Sequence, residues 1–401
     1  MKIESIFKNH ISDTDKEFII KLVDQKFNNL EIFIVGGAIR DIILGLNPTE
    51  IDFCIKGDIE EFKKFIANQK DIKKVKVSEF QTYKLLYKDK VYDFSVTREE
   101  SYIPKGSLPK IDKFNVSIEK DLFRRDFTIN SIALNINKLN ENIIDPFNGY
   151  GDLKKNLIKI IHEESFVDDP TRIFRALKFS NRLNFKIDKD TTINLKKSVV
   201  NLKNISNERI KNEIEKISNE KNCKNILIEL QKFGALKYFY EFDPSKINFN
   251  QKGISNWDII IFEISKKDMY ESNKFFSNYN FEKKLKVKIK NMIYISSLNN
   301  KYGKKLTEKI LINEFNILKT IKIEDIIAIS KLENKNSKIF NNIMSSLKSS
   351  KPILNFIDIQ KLKLCSDKEA SDIFKMLNFK KFKGQIISKK DEVEFIKNFN
   401  F

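Results

Sequence analysis

The stretch Glu31-Ile32-Phe33-Ile34-Val35-Gly36-Gly37-Ala38-Ile39-Arg40-Asp41 runs from a β-rich apolar segment into two glycines and on into a helix-like segment. Residues 31–35 predict a strand and 38–44 a short helix, with Gly45 as its left-handed C′ residue. Outward from it, 14–28 has helical spacing, while 50–55 and 91–97 predict two more strands. Residues 99–117 predict a loop punctuated by Pro104, Gly106 and Pro109, and 129–136 is a further apolar run closed by Asp145-Pro146. Beyond about residue 150 helical periodicity takes over and strand patterns largely vanish. The expected fold is therefore an α/β head, a small mixed sheet with helices, followed by an all-α remainder.

Bulk properties narrow the class. The 401 residues are 41% hydrophobic, enough for sizeable cores, yet no run of eighteen apolar residues offers a membrane span. The polar opening MKIESIFKNHISDTDKEF lacks the apolar core of a signal peptide. Three scattered cysteines (Cys54, Cys223, Cys365) and two histidines argue against zinc and predict a reduced, cytoplasmic protein. A net charge of +19 favours a polyanionic partner such as nucleic acid, although the Lys-, Asn- and Ile-rich composition of A/T-rich coding would also raise it.

Three groups of residues carry candidate chemistry. Gly36 and Gly37 let the backbone approach a phosphate closely, and Arg40 lies one turn into the following helix. In a strand over 50–55, Glu50 and Asp52 share a face while Ile51, Phe53 and Ile55 point into the core. Asp93, in the strand Val91-Tyr92-Asp93-Phe94-Ser95-Val96, adds a third carboxylate, and three carboxylates on two strands suit two Mg²⁺ ions. Asp168-Asp169-Pro170-Thr171-Arg172-Ile173-Phe174-Arg175 predicts a helix start, with an aspartate cap and Asp169 and Arg172 on one face, spaced for an ion pair.

Taken in order, Gly36-Gly37-Ala38-Ile39-Arg40-Asp41, the Glu50-x-Asp52 pair and Asp121-Leu122-Phe123-Arg124-Arg125-Asp126-Phe127-Thr128-Ile129-Asn130 resemble the class II tRNA nucleotidyltransferases, or CCA-adding enzymes, and bacterial poly(A) polymerases. Asp145-Pro146-Phe147-Asn148-Gly149 and Ser206-Asn207-Glu208-Arg209 with Glu213 are similar to later motifs of that family, so the resemblance covers about 30–216. It implies a nucleotidyltransferase head (1–145), a helical neck that recognises the base (146–216), and a helical body and tail that bind tRNA (217–401). It implies that Glu50, Asp52 and Asp93 are catalytic and hold Mg²⁺. It also implies that Gly36, Gly37, Arg40, Arg124, Arg125, Asp169, Arg172 and Arg175 bind the nucleotide. Asp169 would accept from the amine of cytosine or adenine and Arg172 would donate to the neighbouring ring acceptor, so CTP and ATP would be the substrates.

Two departures from the family pattern stand out: Glu50 replaces the usual aspartate, and Lys178 stands where an arginine is frequent. Lys56-Gly57-Asp58 and the Pro104–Pro109 loop resemble the A-adding subgroup, which keeps A-only addition as an alternative; poly(A) synthesis is another. A non-catalytic RNA-binding relative is the remote one. Ten lysines against three glutamates in 281–320 predict a helical face suited to a phosphate backbone.

Overall fold

The computed structural model describes residues 9–78, 80–138, 142–266, 269–332 and 337–400; the polar opening residues 1–8 lie outside the described residues. The chain divides into two compact units, Met1–Asp243 and Pro244–Phe401.

The first unit is built on a six-stranded mixed sheet of order β3-β4-β5-β2-β1-β8. Its strands are β1 (Leu30–Val35), β2 (Asp52–Gly57), β3 (Ile72–Val77), β4 (Thr82–Tyr87), β5 (Lys90–Val96) and β8 (Ala133–Asn135). β1 runs antiparallel to both β2 and β8, and β2 runs parallel to β5. Period-2 alternation decides the two faces. Phe53 and Phe94 lie side by side on one face, their rings stacked at 4.5 Å, under Phe18 of helix α1 (Asp13–Asp24) and Phe62 of α3 (Ile59–Asn68). Asp52 and Cys54 therefore share the opposite face with Asp93 and Ser95. α2 (Gly37–Ile43) follows β1 directly, and Ile118 and Leu122 of α4 (Ile118–Phe123) pack over Phe33, Cys54 and Ala133.

Several expectations shift. Glu50 precedes β2 rather than lying within it, because the strand begins at Asp52. The 99–117 segment is not all loop: β6 (Arg98–Ser101) and β7 (Lys110–Phe114) form an antiparallel hairpin. β3 and β4 leave no strand signature in the sequence, since lysines at 73, 74, 76 and 84 break the apolar pattern of an edge hairpin. The expected helix after β1 is present, and Gly45 takes φ +72° just beyond its C-cap.

Helices dominate the rest of the unit, including α5 (Arg172–Leu183) and α6 (Asn207–Ser218). Asp169 does not cap α5 as a simple N-cap. The N-cap position is Thr171, whose N–H and hydroxyl both donate to the Asp169 carboxylate. Ser206 caps α6 as its sequence predicts.

Every regular element among the described residues of the second unit is helical, including Asn256–Ser265 and Lys389–Lys397. No helix among the described residues is long and apolar enough to cross a membrane. Its C-terminal core gathers Ile359, Ile373, Leu377 and Ile396 around a buried ion pair. Glu392 is 0% exposed, accepts from Lys381 at 2.6 Å and caps the backbone N–H groups of Ile353 and Leu354. Removing one partner of such a pair strands a buried charge, at a cost of about 3–5 kcal/mol. Glu392→Ala is expected to lower the stability of the second unit by that order in urea titrations followed by Trp257, the chain's single tryptophan. A loss below about 1 kcal/mol would contradict the assignment.

Candidate active site

The end of the sheet formed by the C-terminus of β1 and the start of β2 opens into a cleft of about 490 Å³, within the range of small-molecule sites. Gly36, Gly37, Arg40, Glu50, Asp52, Arg124, Arg125, Asp169, Arg172 and Arg175 all line it. Ten of the eleven residues singled out from the sequence thus converge, from positions up to 139 apart (175 − 36) in the chain. Asp93 is not among the lining residues.

Gly36 is where the chain must turn. Its φ is +71°, and a Cβ there would stand 3.1 Å from the Arg125 guanidinium. The turn delivers Arg40, which is buried and held in place: it pairs with Asp41 at 2.7 Å and donates to Asn130 Oδ1 at 2.7 Å. Asn130 in turn donates to Asp126, and Asp126 grips Arg175 at 2.7 and 2.6 Å. Burial pushes the Asp126 carboxyl up, but the Arg175 guanidinium and the Asn130 amide hold it below the usual carboxylate range.

Asp121 is the second organiser. It is fully buried and accepts from Arg124 at 2.9 Å, Arg125 at 3.1 Å and the Arg98 backbone N–H at 3.1 Å. Burial opposes its charge, yet Arg125 and Arg124 outweigh that and leave its pKa lowered. Arg124 also reaches Glu100 at 3.2 Å.

Asp169 and Arg172 do not form the intrahelical pair that their spacing allows. Oδ1 of Asp169 accepts from Arg209 at 2.8 Å as well as from Thr171 N and Oγ1, which loads one oxygen with three donors. The Arg172 guanidinium donates to Ser165 Oγ, to the Arg124 carbonyl at 2.6 Å and, at 3.4 Å, to the Tyr102 hydroxyl. Both side chains are thereby fixed by neighbours other than each other. Arg209 also donates to the carbonyls of Gly106 and Ser107, so the loop between β6 and β7 is tied to Asp169. Arg209, Tyr102, Glu100 and Asp126 escaped the sequence reading as site residues. Their partners lie 24 to 103 positions away, and no local spacing signals such contacts. Lys178 is buried in α5, is not among the lining residues, and has its pKa pushed down to about 8 by burial.

The carboxylate pair merits a test as a cation site. Asp52 and Asp93 are register partners on parallel strands and share a face. Although Asp52 keeps contact with solvent through the cleft mouth, burial raises its pKa, and the charges of Asp93 and Glu50 add to the shift. A divalent cation would relieve this repulsion, so the chemistry of the donors fits one. Among the described residues, however, no group of three His, Cys, Asp or Glu side chains is already drawn together to hold a metal. Asp93 is engaged by Lys84 at 2.6 Å.

Comparison with known proteins falls on this same architecture. Residues 32–159 match the poly A polymerase head domain, and 184–244 match a probable RNA and SrmB-binding site of polymerase A. Both matches fall within residues 32–244, where the chain is similar to poly(A) polymerases and tRNA nucleotidyltransferases. It is 37% identical over 216 residues to an A-adding tRNA nucleotidyltransferase of Aquifex aeolicus, a match covering 53% of the chain and 26% of the relative. It is 28% identical over 349 residues to a CCA-adding enzyme of Staphylococcus haemolyticus, covering 85% and 83%. The chain spans a quarter to a half of the length of the A-adding relatives it matches. The structure of a CCA-adding enzyme in apo form superposes with a TM-score of 0.76 at 23% identity over 98% of both chains. A Thermotoga maritima CCA-adding enzyme complexed with tRNA gives 0.70 at 23% identity, over 99% of this chain and 98% of that one. These likenesses, both at 23% identity, show a shared fold.

The Asp121 network yields a pH test. A carboxylate whose folded pKa lies below its unfolded value of 3.8 contributes stability above that value and loses it as pH falls through the folded one. Asp121→Asn is expected to cost about 3–5 kcal/mol at neutral pH by leaving the buried Arg125 without its counter-ion and Arg124 with Glu100 alone. The gap from wild type should stay constant above about pH 5 and narrow in more acid solution. Equal urea stabilities at pH 7 would contradict it.

Proposed function

We propose that the chain is a template-independent tRNA nucleotidyltransferase that adds CMP and AMP from CTP and ATP to the 3′ end of tRNA, in CCA addition or repair. The observation that carries this reading is one cleft lined by the glycine turn, the β2 carboxylate, five arginines of the family motifs and Asp169. The names and ligands of the family relatives support it.

In this reading Gly36 and Gly37 admit the triphosphate to the backbone, and Arg40, Arg124, Arg125 and Arg175 surround it with positive charge held in place by Asp41, Asp121 and Asp126. Glu50, Asp52 and Asp93 would hold Mg²⁺, which when bound activates the 3′-hydroxyl and neutralises the triphosphate. Glu50 reaches one methylene further than the usual aspartate, and its place before β2 leaves its backbone outside the strand ladder. Asp169 and Arg172 would read the base. With Oδ1 saturated by Arg209 and Thr171, Oδ2 is the oxygen left to accept from an exocyclic amine, which uracil and guanine lack at that edge.

The neck (146–216) is assigned to base recognition and 217–401 to the tRNA grip, in a cytoplasmic protein. Exposed Lys283, Lys284 and Lys290 suit phosphate contacts, whereas Lys288 and Lys301 are committed to Asp258 and Glu314. A-only addition is the second reading, favoured by the 37%, 34% and 32% identities to A-adding relatives.

The test uses tRNA transcripts ending before CCA, after C and after CC, with each of the four nucleoside triphosphates supplied separately. CMP incorporation on the first two and AMP on the third supports CCA addition; AMP on the third alone supports the second reading; no incorporation on any sinks both. Asp52→Ala should abolish incorporation while tRNA binding persists. Asp169→Ala should relax discrimination against UTP and GTP by about 5–150-fold, the worth of one good base contact. If it melts normally and still excludes both, Asp169 does not read the base.

A further inference from the structure

Lys84 sits directly across the β4–β5 ladder from Asp93, as its register partner. Its ammonium lies 2.8 and 2.6 Å from the two oxygens of the Asp93 carboxylate. That is the same position, in front of both oxygens, from which a carboxylate binds a cation in bidentate fashion. Asp93 is in turn the register partner of Asp52 on β2. The order across three strands is thus lysine, carboxylate, carboxylate, with Lys84 on the side away from the cleft. Lys84 also acts electrostatically on Asp52, in opposition to Asp93 and Glu50.

We propose that Lys84 is a built-in counter-ion that competes with a divalent cation for Asp93 and so sets how tightly the head loads metal. The inference rests on the reading of Asp52 and Asp93 as cation ligands. An ammonium and a divalent cation cannot both occupy the front of one carboxylate, because their like charges would stand at contact distance. Metal binding at Asp93 therefore requires the lysine to withdraw. It is suited to do so: the side chain is 44% exposed, sits on a flexible four-carbon stem, and can exchange the carboxylate for water. In the absence of metal the same ammonium offsets the repulsion between two carboxylates fixed on neighbouring strands. The device is electrostatic rather than steric, so it depends on charge at position 84 and not on the exact shape of the side chain.

The experiment measures Mn²⁺ binding to the full chain, without RNA or nucleotide, by electron paramagnetic resonance or calorimetry. Lys84→Met removes the competitor and keeps most of the stem. It should tighten Mn²⁺ binding by about three- to tenfold, the scale of an exposed ion pair plus one nearby repulsive charge. Lys84→Arg keeps the charge and should bind as wild type does. Lys84→Gln serves if the Met variant melts abnormally, and should behave like it. Unchanged or weaker binding in the neutral variants overturns the proposal, as does equal tightening in the arginine variant. Wild-type binding unaffected by Asp52→Asn would place the ion elsewhere. That result would overturn the metal assignment itself, and the role of Lys84 with it.

Discussion

The parallel pairing of β2 with β5 is the constraint on which the head depends. It sets Asp52 beside Asp93 on one face and stacks Phe53 on Phe94 on the other. Two carboxylates fixed on adjacent strands repel each other, and that cost is offset behind them by a dense aromatic cluster in which Phe18 packs against Tyr92 at 4.1 Å. A one-residue slip would turn the aromatic rings to the cleft and the acids into the core, so the apolar face locks the register that the chemistry needs. Tyr92 and Lys90 both bind the buried Asp15 of α1, which fastens this helix over the aromatic side.

Around the carboxylates the cleft is organised by arginines that are themselves restrained. Arg40 has Asp41, Arg124 and Arg125 share Asp121, Arg175 has Asp126, Arg182 has Glu220 and Arg209 has Asp169. A guanidinium positioned beforehand loses less side-chain freedom when an anion arrives, and its field is already aimed. The same restraint extends to Asp169 and Arg172, each immobilised by third parties, so the polar edge they present to the cleft is rigid. Because Arg209 holds Asp169 and the Gly106 and Ser107 carbonyls at once, movement of the β6–β7 loop would be felt at the carboxylate.

Much of this was legible in the sequence because it is local. Alternation in Asp52-Phe53-Cys54-Ile55 assigns faces, Gly36-Gly37 marks the turn, and the Asp121–Asn130 run carries a strong resemblance. What was not legible is long-range. The Asp169–Arg172 spacing suggested an ion pair, but Arg209, 40 positions on, offers Asp169 a better-placed guanidinium, and Arg172 turns to Ser165 and the Arg124 carbonyl instead. Lys84 carried no signal, since a lysine on a solvated edge hairpin is unremarkable until its register partner is known to be Asp93. The 99–117 hairpin was hidden by its proline and glycine punctuation, which marks the turn at 104–109 but says nothing of the short strands on either side.

The central claim is that Asp52 and Asp93 hold a divalent cation against the phosphate being transferred. Its most direct measurement is AMP transfer from ATP carrying sulfur in place of a non-bridging α-phosphate oxygen, compared in Mg²⁺ and in the softer Mn²⁺ or Cd²⁺. Sulfur is a poor ligand for Mg²⁺ and a better one for the softer ions. The account predicts slow transfer of one diastereomer in Mg²⁺, restored by Mn²⁺ or Cd²⁺ in the wild-type protein. A sulfur effect of the same size in all three metals would contradict it.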